Sequence, residues 1–343
     1  MPDDPKISPC PICSSTGGYR IASYEADEAA QAFVPRRLDP DRHKALSRKL
    51  SALWRGAPCF LRRCDSCDFI YADPFVSGDA EFYHVAFPDA SYPTRKWEFD
   101  RTRQALRACK FVEPSLLEIG AGKGAFLKQL LKVGWSTANL QAFEFSSSGR
   151  AEIERICVNC LAADLRSVDL SRTFDVVCMF QVLEHLDGYN GIFEALERIV
   201  RPGGHVFIAT PNGAWISLNE NRHLLLDMPP NHLSRWSRVS FAALACRFGW
   251  RLEECELEPP PSRVTTAARV LTDRFIRLVN DESFWEGRAA ELAGRTGNRG
   301  LARLIKAGAA MTSPACLSAA IRAALVPATP QNIWAHLIRP GEP

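Results

Sequence analysis

The sequence predicts an α/β chain: a doubly wound, mostly parallel sheet of seven strands, a small cysteine-bearing module before it, and helices inserted before the last strand. Three observations carry that expectation. From residue 115 onward, short apolar runs alternate with segments of helical spacing, the pattern of a parallel sheet covered by helices. The first run, Leu116, Leu117 and Ile119, passes at once through Gly120, Ala121, Gly122, Lys123 and Gly124 into apolar positions Phe126, Leu127, Leu130 and Leu131. Two C-x-x-C pairs, Cys10 with Cys13 and Cys64 with Cys67, lie ahead of that region.

Residues 1–80 read as a zinc-binding module. Each C-x-x-C turn aims two thiolates at one point, and two turns supply the four ligands of a tetrahedral Zn2+. Such a site has no open position, so the zinc is structural. The insert RRLDPDRHKALSRKLSALW between the pairs is basic and of helical character, and Phe60, Phe69, Tyr71 and Phe75 would pack the module. Residues 81–113 read as an aromatic linker or lid with a leading helix from near Thr94.

Residues 114–258 form the core, with strands expected at Leu116–Ile119, Asn139–Phe145, Cys157–Asp164, Phe174–Phe180, Gly204–Thr210 and Trp250–Leu257. A helix over 238–248 takes Ser237 as its N-cap. Cys157 and Cys160 fall inside the third strand, where alternation cannot aim both thiols at one ion, so they read as core. EPPPS marks a boundary, residues 259–329 read as a helical insertion, and NIWAHLIRP within 330–343 returns as the last strand.

Hydrophobic content of 46% and charged content of 24% are those of an ordinary globular protein, and a net charge of +3 is too small to argue for nucleic acid. No apolar run approaches the roughly 18 residues of a membrane span. The N-terminus MPDDPKISPCPIC lacks the apolar stretch of a secretory signal. A cytoplasmic protein is expected, in which 12 cysteines are unusual unless some bind metal.

A strand that turns through glycines into a helix binds nucleotide-like ligands, because the backbone can approach closely and the helix start offers free N–H groups. The spacing is E-x-G-x-G-x-G from Glu118, not the G-x-G-x-x-G of dinucleotide folds. Ligands bind at the carboxyl ends of such sheets. Those ends carry Glu144 followed by Phe145, suited to ribose hydroxyls; Asp164 followed by Leu165, where an adenine amine needs an acceptor; and Phe180 with Gln181, along the ligand.

The segments LEIGAGKG, AFEFS, AADL, FDVVCMFQVLEHL and RPGGHVFIATPN resemble, in order, the motifs of the class I S-adenosylmethionine (SAM) methyltransferases. The resemblance implies a Rossmann-like fold, SAM as cofactor, and contacts from Glu118, Gly120, Ala121, Gly122, Gly124, Glu144, Phe145, Asp164, Leu165, Phe180 and Gln181. The core is similar to ubiquinone-biosynthesis O-methyltransferases. The cysteine pairs, aromatic segment and C-terminal extension are similar to zinc-containing C-methyltransferases of deoxysugar biosynthesis. Relatives that hold a divalent ion beside strand four use E-x-x-E-H, whereas this chain reads Gln181-Val-Leu-Glu184-His185, so no catalytic magnesium is expected.

Methyl transfer to oxygen or carbon requires a proton to leave the acceptor, and His185 after strand four and His232 in DMPPNHLSRWS are the candidate bases. Tyr83, Tyr92 and Trp97 read as packing residues more than as a second wall. The expected activity is methylation of a small molecule: a sugar, a nucleotide-linked sugar or a natural-product intermediate. The alternative is an RNA methyltransferase whose zinc module grips nucleic acid, mildly favoured by Arg263, Arg269, Arg274 and Arg277. A SAM-binding scaffold without activity is the third reading. Neither a nucleic-acid partner nor a membrane is expected, and the oligomeric state is left open.

Overall fold

The computed structural model describes residues 8–87, 93–109, 111–170, 172–221, 225–262, 265 and 328–341. The chain divides into two compact units, Met1–Glu258 with Gln331–Pro343, and Pro259–Pro330. The helical insertion expected over 259–329 lies almost wholly outside the described residues, as does Tyr92.

Among its described residues the first unit holds eleven strands: β1 Gly18–Tyr24, β2 Cys59–Cys64, β3 Ile70–Asp73, β4 Leu116–Ile119, β5 Leu140–Phe143, β6 Asn159–Leu161, β7 Phe174–Phe180, β8 Val200–Pro211, β9 Ser234–Arg235, β10 Arg251–Leu257 and β11 Asn332–Ile338. Seven of them form one sheet in the order β10-β11-β8-β7-β4-β5-β6. Strands β8, β7, β4, β5 and β6 run parallel, and β11 lies antiparallel between β8 and β10. The last strand of the chain is therefore inserted in the sheet, as its apolar run anticipated. Among the described residues no helix is long and apolar enough to cross a membrane.

Strand alternation sorts the core into two layers. Leu117, Val177, Met179 and Ile208 face Phe193, Leu196 and Leu244 of helices Tyr189–Ile199 and Arg238–Arg247. Leu116, Val176, Phe180 and Phe207 face Phe99, Phe126 and Leu127 of helices Trp97–Ala108 and Ala125–Lys132. Because both faces are covered, β4 and β7 are apolar almost throughout. Helix Arg238–Arg247 starts from a capping box between Ser237 and Ser240.

The differences from expectation are local. The third core strand is short and ends at Leu161, so Asp164 lies in the loop beyond it. Cys157 is not core: it is exposed in the turn before β6, at φ +59°. The leading helix starts at Trp97. The cysteine module is a four-stranded sheet in the order β1-β2-β3-β9. Its fourth strand comes from Ser234–Arg235, far downstream in the chain. The insert between the cysteine pairs is the helix Pro40–Leu53, which buries His43, Leu46 and Leu50.

Candidate active site

The site lies at the carboxyl ends of β4, β5, β7 and β8. The chain leaves β4 at Gly120, whose φ is +70° and whose amide donates to the Phe143 carbonyl at 2.8 Å. A Cβ there would come within 2.4 Å of Val182 Cγ2, so neither the angle nor the space admits a side chain. Gly124, at φ +69°, opens the helix Ala125–Lys132. Between them the loop is held from β5. Glu144 Oε2 accepts the Gly122 N–H and Oε1 accepts the Ser146 N–H, both at 2.7 Å. Each carboxylate oxygen retains a second lone pair. Gly149, unremarked in the sequence, lets the next helix approach: a Cβ there would meet the Gly122 carbonyl oxygen at 2.5 Å. In the sequence it follows SSS and is indistinguishable from an ordinary turn glycine.

The other predicted residues behave differently from one another. Ala121 and Leu165 are buried, whereas Phe145 is 71% exposed. Asp164 is chelated by Arg166, with Nη2 at 2.6 Å, Nε at 3.0 Å and the backbone N–H at 2.9 Å. Those bonds hold its carboxyl below the usual range, and Arg166 also reaches Asp187 at 2.8 Å. The Phe180 ring packs edge-to-face on Phe99 and Phe126, with centroids 5.2 and 5.0 Å away, so its side chain serves the core and not the crevice. Gln181 sits at φ +60°, which costs on the order of 1 kcal/mol for a residue with a side chain. Its amide donates to the Ala209 carbonyl at 2.7 Å, and its Nε2 donates to Glu98 Oε1 at 3.3 Å and Asn332 Oδ1 at 3.2 Å. Glu118 is buried under the loop with Oε2 unpartnered, and burial pushes its pKa up to about 8.

His185 and His232 come together, with ring centroids 4.7 Å apart. His185 Nδ1 lies 2.6 Å from the Asn231 carbonyl and 3.0 Å from the Tyr83 hydroxyl. A carbonyl only accepts, so Nδ1 carries the proton and Nε2 presents a lone pair. The His232 Nδ1 lies 3.2 Å from Asp227 Oδ1 without the alignment of a hydrogen bond. Burial pulls both imidazoles down to about 3, helped at His185 by His232 and at His232 by Arg235. Both rings are therefore neutral at ordinary pH. Glu184 is wholly buried beside them, its Oε1 4.0 Å from His185 Nε2. Tyr83 thus belongs to the site. Trp97 packs against the core, and Trp236 is fully buried, its Nε1 donating to Ser234 Oγ at 2.9 Å.

The four predicted zinc ligands also converge. Cys10 and Cys67 Sγ atoms are 3.6 Å apart, and those of Cys13 and Cys64 are 3.4 Å apart. The edge of a tetrahedron with Zn–S bonds of about 2.3 Å is about 3.8 Å. Each turn is tied by a backbone bond, Ser14 N–H to Cys10 O at 2.9 Å and Asp68 N–H to Cys64 O at 3.0 Å. The Cys67 thiol holds Cys10 down at about 5, while burial pushes Cys13 up to about 11. Four crowded thiols cannot all ionise alone; a divalent cation removes that conflict, so the set fits zinc.

A sequence family described as "Methyltransferase domain" matches residues 92–254, the stretch that carries the glycine loop and the strand ends. This stretch is a class I SAM-dependent methyltransferase domain. The chain is similar to the mitochondrial ubiquinone biosynthesis O-methyltransferase of Dictyostelium discoideum, 26% identical over 30% of this chain and 37% of that protein. It is also similar to the ubiquinone biosynthesis O-methyltransferase of Cupriavidus pinatubonensis, 30% identical over 39% of this chain and 57% of that protein. The chain thus spans less than two thirds of the length of these relatives. A solved SAM-dependent methyltransferase from Mesorhizobium loti is 15% identical, with 69% of this chain and 96% of that one covered at a TM-score of 0.41. In the methyltransferase domain, the sheet's parallel strands carry the loop, and the one antiparallel insertion, β11, supplies Asn332 to Gln181.

The raised pKa of Glu118 gives a stability prediction. An acid whose folded pKa lies above its unfolded one binds more protons when folded, so stability falls as pH rises through that window. Glu118→Gln should melt above the wild-type protein in the absence of ligand, by a margin that grows from about pH 5 to about pH 8. A margin independent of pH would show that the carboxyl is not desolvated.

Proposed function

We propose that the protein transfers the methyl group of SAM in line to a small-molecule acceptor, a sugar, nucleotide-linked sugar or natural-product intermediate. The observation that carries this reading is the cluster of Tyr83, Glu184, His185 and His232, whose Glu184 and His185 lie in the turn after β7 that packs Val182 against Gly120 of the glycine loop. SAM supplies an electrophilic methyl on a good leaving group, so the chain's own task is alignment and removal of a proton.

The cofactor's ribose would bond the remaining lone pairs of Glu144, and its adenine amine would donate to Asp164. Gly120, Ala121, Gly122, Gly124, Phe145, Leu165 and the backbone at Phe180 and Gln181 would line the same crevice, with Glu118 below it. His185 and His232 would flank the acceptor, and one of them would take its proton on the free ring nitrogen. Both rings are neutral and offer a free lone pair, while the burial that holds them near 3 weakens them as bases, so a neighbouring negative charge has to raise the one that acts. Zinc on Cys10, Cys13, Cys64 and Cys67 would be structural. An untargeted metabolite screen with methyl-labelled SAM tests the activity directly.

Three outcomes are expected. Calorimetry on Glu144→Ala should show SAM affinity weakened by about 1–3 kcal/mol, the size of lost charge-assisted hydrogen bonds. Unchanged affinity would put the ribose elsewhere. Elemental analysis should find one zinc per chain, lost in Cys64→Ser; a folded, zinc-free wild-type protein would contradict the assignment. His185→Ala and His232→Ala should between them include a loss of about 10²–10⁴ in turnover with SAM affinity nearly unchanged. Full turnover in both variants would make the histidines structural.

A further inference from the structure

We propose that Asp227 is the positioning residue of His232: it holds the ring's proton on Nδ1 and supplies the negative charge that makes His232, and not His185, the base. The proposal rests on the reading of this cluster as the acceptor site. The two rings differ in what stands behind them. His185 Nδ1 donates to the Asn231 carbonyl at 2.6 Å, a neutral acceptor. His232 Nδ1 is buried, and a carboxyl faces it, with Asp227 Oδ1 at 3.2 Å. The pair is in reach and out of line, as catalytic hydrogen bonds often are before a ligand tightens them. A carboxylate only accepts, so the proton belongs on Nδ1 and the lone pair on Nε2.

The nearby acids are not equivalent. Glu184 is wholly buried and neither oxygen has a donor; burial pushes it up to about 8, so it keeps its proton at neutral pH and offers His185 no charge. Asp227 is half-buried. Burial raises its pKa too, but Arg235 and a side-chain bond to Asn219 pull the other way. Arg235, which after burial is what lowers His232, is itself paired with Glu220. Asp227 is thus the anion that stands against a ring nitrogen. In the reaction, Nε2 of His232 takes the acceptor's proton as the bond from acceptor to methyl forms and the methyl–sulfur bond breaks, its electron pair staying on sulfur. The imidazolium then carries a proton on each nitrogen, and the Asp227 carboxylate stabilises that charge until water takes the Nε2 proton.

Selective 15N-histidine labelling tests this without knowledge of the acceptor, because long-range 1H–15N spectra report which ring nitrogen bears the proton. The His232 signals are those lost in His232→Gln. At neutral pH the wild type should show Nδ1 protonated and Nε2 free. In Asp227→Asn, whose amide can donate to Nδ1, the proton should move to Nε2; in Asp227→Glu it should stay on Nδ1. SAM affinity should hold in both variants, which also reports an intact fold. With the acceptor that the metabolite screen identifies, Asp227→Asn should lose about 10²–10⁴ in kcat with KM nearly unchanged, the worth of a base left in the wrong tautomer. A wild-type His232 with its proton on Nε2, or a tautomer that Asp227→Asn leaves unmoved, overturns the proposal even where the protein methylates. So does wild-type turnover in Asp227→Asn. A metal equivalent beyond the zinc that disappears in His232→Gln would overturn it in favour of a cation on that ring. If the wild type methylates no acceptor, the proposed function itself falls, and the role of Asp227 with it, whichever nitrogen bears the proton.

Discussion

The site depends on the backbone of one residue, Leu233. Its carbonyl accepts the Ala72 N–H at 2.8 Å, and its own N–H donates to the Glu184 carbonyl at the same distance. One peptide segment is thereby joined on one side to the sheet of the cysteine module and on the other to the turn after β7. The two following residues form β9 and pair with Ile70 and Tyr71. Tyr189 reinforces the join from the helix Tyr189–Ile199, its hydroxyl 2.9 Å from Ser234 Oγ. The next residue in the chain, Trp236, packs on Phe69 and Phe241. His232 precedes this anchored stretch by one residue, so its place beside His185 is fixed by hydrogen bonds to the module's sheet and to the turn after β7. Arg235 adds a buried ion pair with Glu220, which also accepts from Tyr24 of β1 at 3.0 Å. The cysteine module is thus a brace for the His185–His232 side of the methyltransferase domain, and none of these bonds reaches the glycine loop.

The remaining features divide between the glycine-loop side and the His185–His232 side by their chemistry. On the glycine-loop side, Glu144 accepts the Gly122 and Ser146 N–H groups, and Gly120, Gly122 and Gly124 take positive φ values. On the His185–His232 side, acids and imidazoles are buried with polar atoms unpartnered. A fold tolerates such atoms where a ligand completes them, and their cost is set against stability elsewhere in the two apolar layers.

The glycine loop, the sheet and the convergence of four cysteines were legible in the sequence because each rests on local pattern: apolar alternation, glycine at fixed offsets, paired C-x-x-C. His185 and His232 were legible as candidates because both fall in loops at strand ends. The β9 strand was not, since a two-residue strand leaves no periodic signal and its partner lies more than a hundred residues away. Tyr83 and Glu98 escaped for the same reason; both sit on helices whose spacing reads as packing, and only tertiary contact turns them toward the site. Cys157 was misjudged because β6 is shorter than its apolar run, and the inward side of Phe180 was hidden by the alternation that puts it opposite Met179.

Hydrogen–deuterium exchange with and without a zinc chelator tests the bracing of His232 most directly. With the chelator, peptides covering 69–73 and 228–236 should lose protection together, while those covering 116–131 keep theirs. If 228–236 stays protected with the chelator, the segment around His232 is held by the methyltransferase domain alone and the cysteine module does not support it.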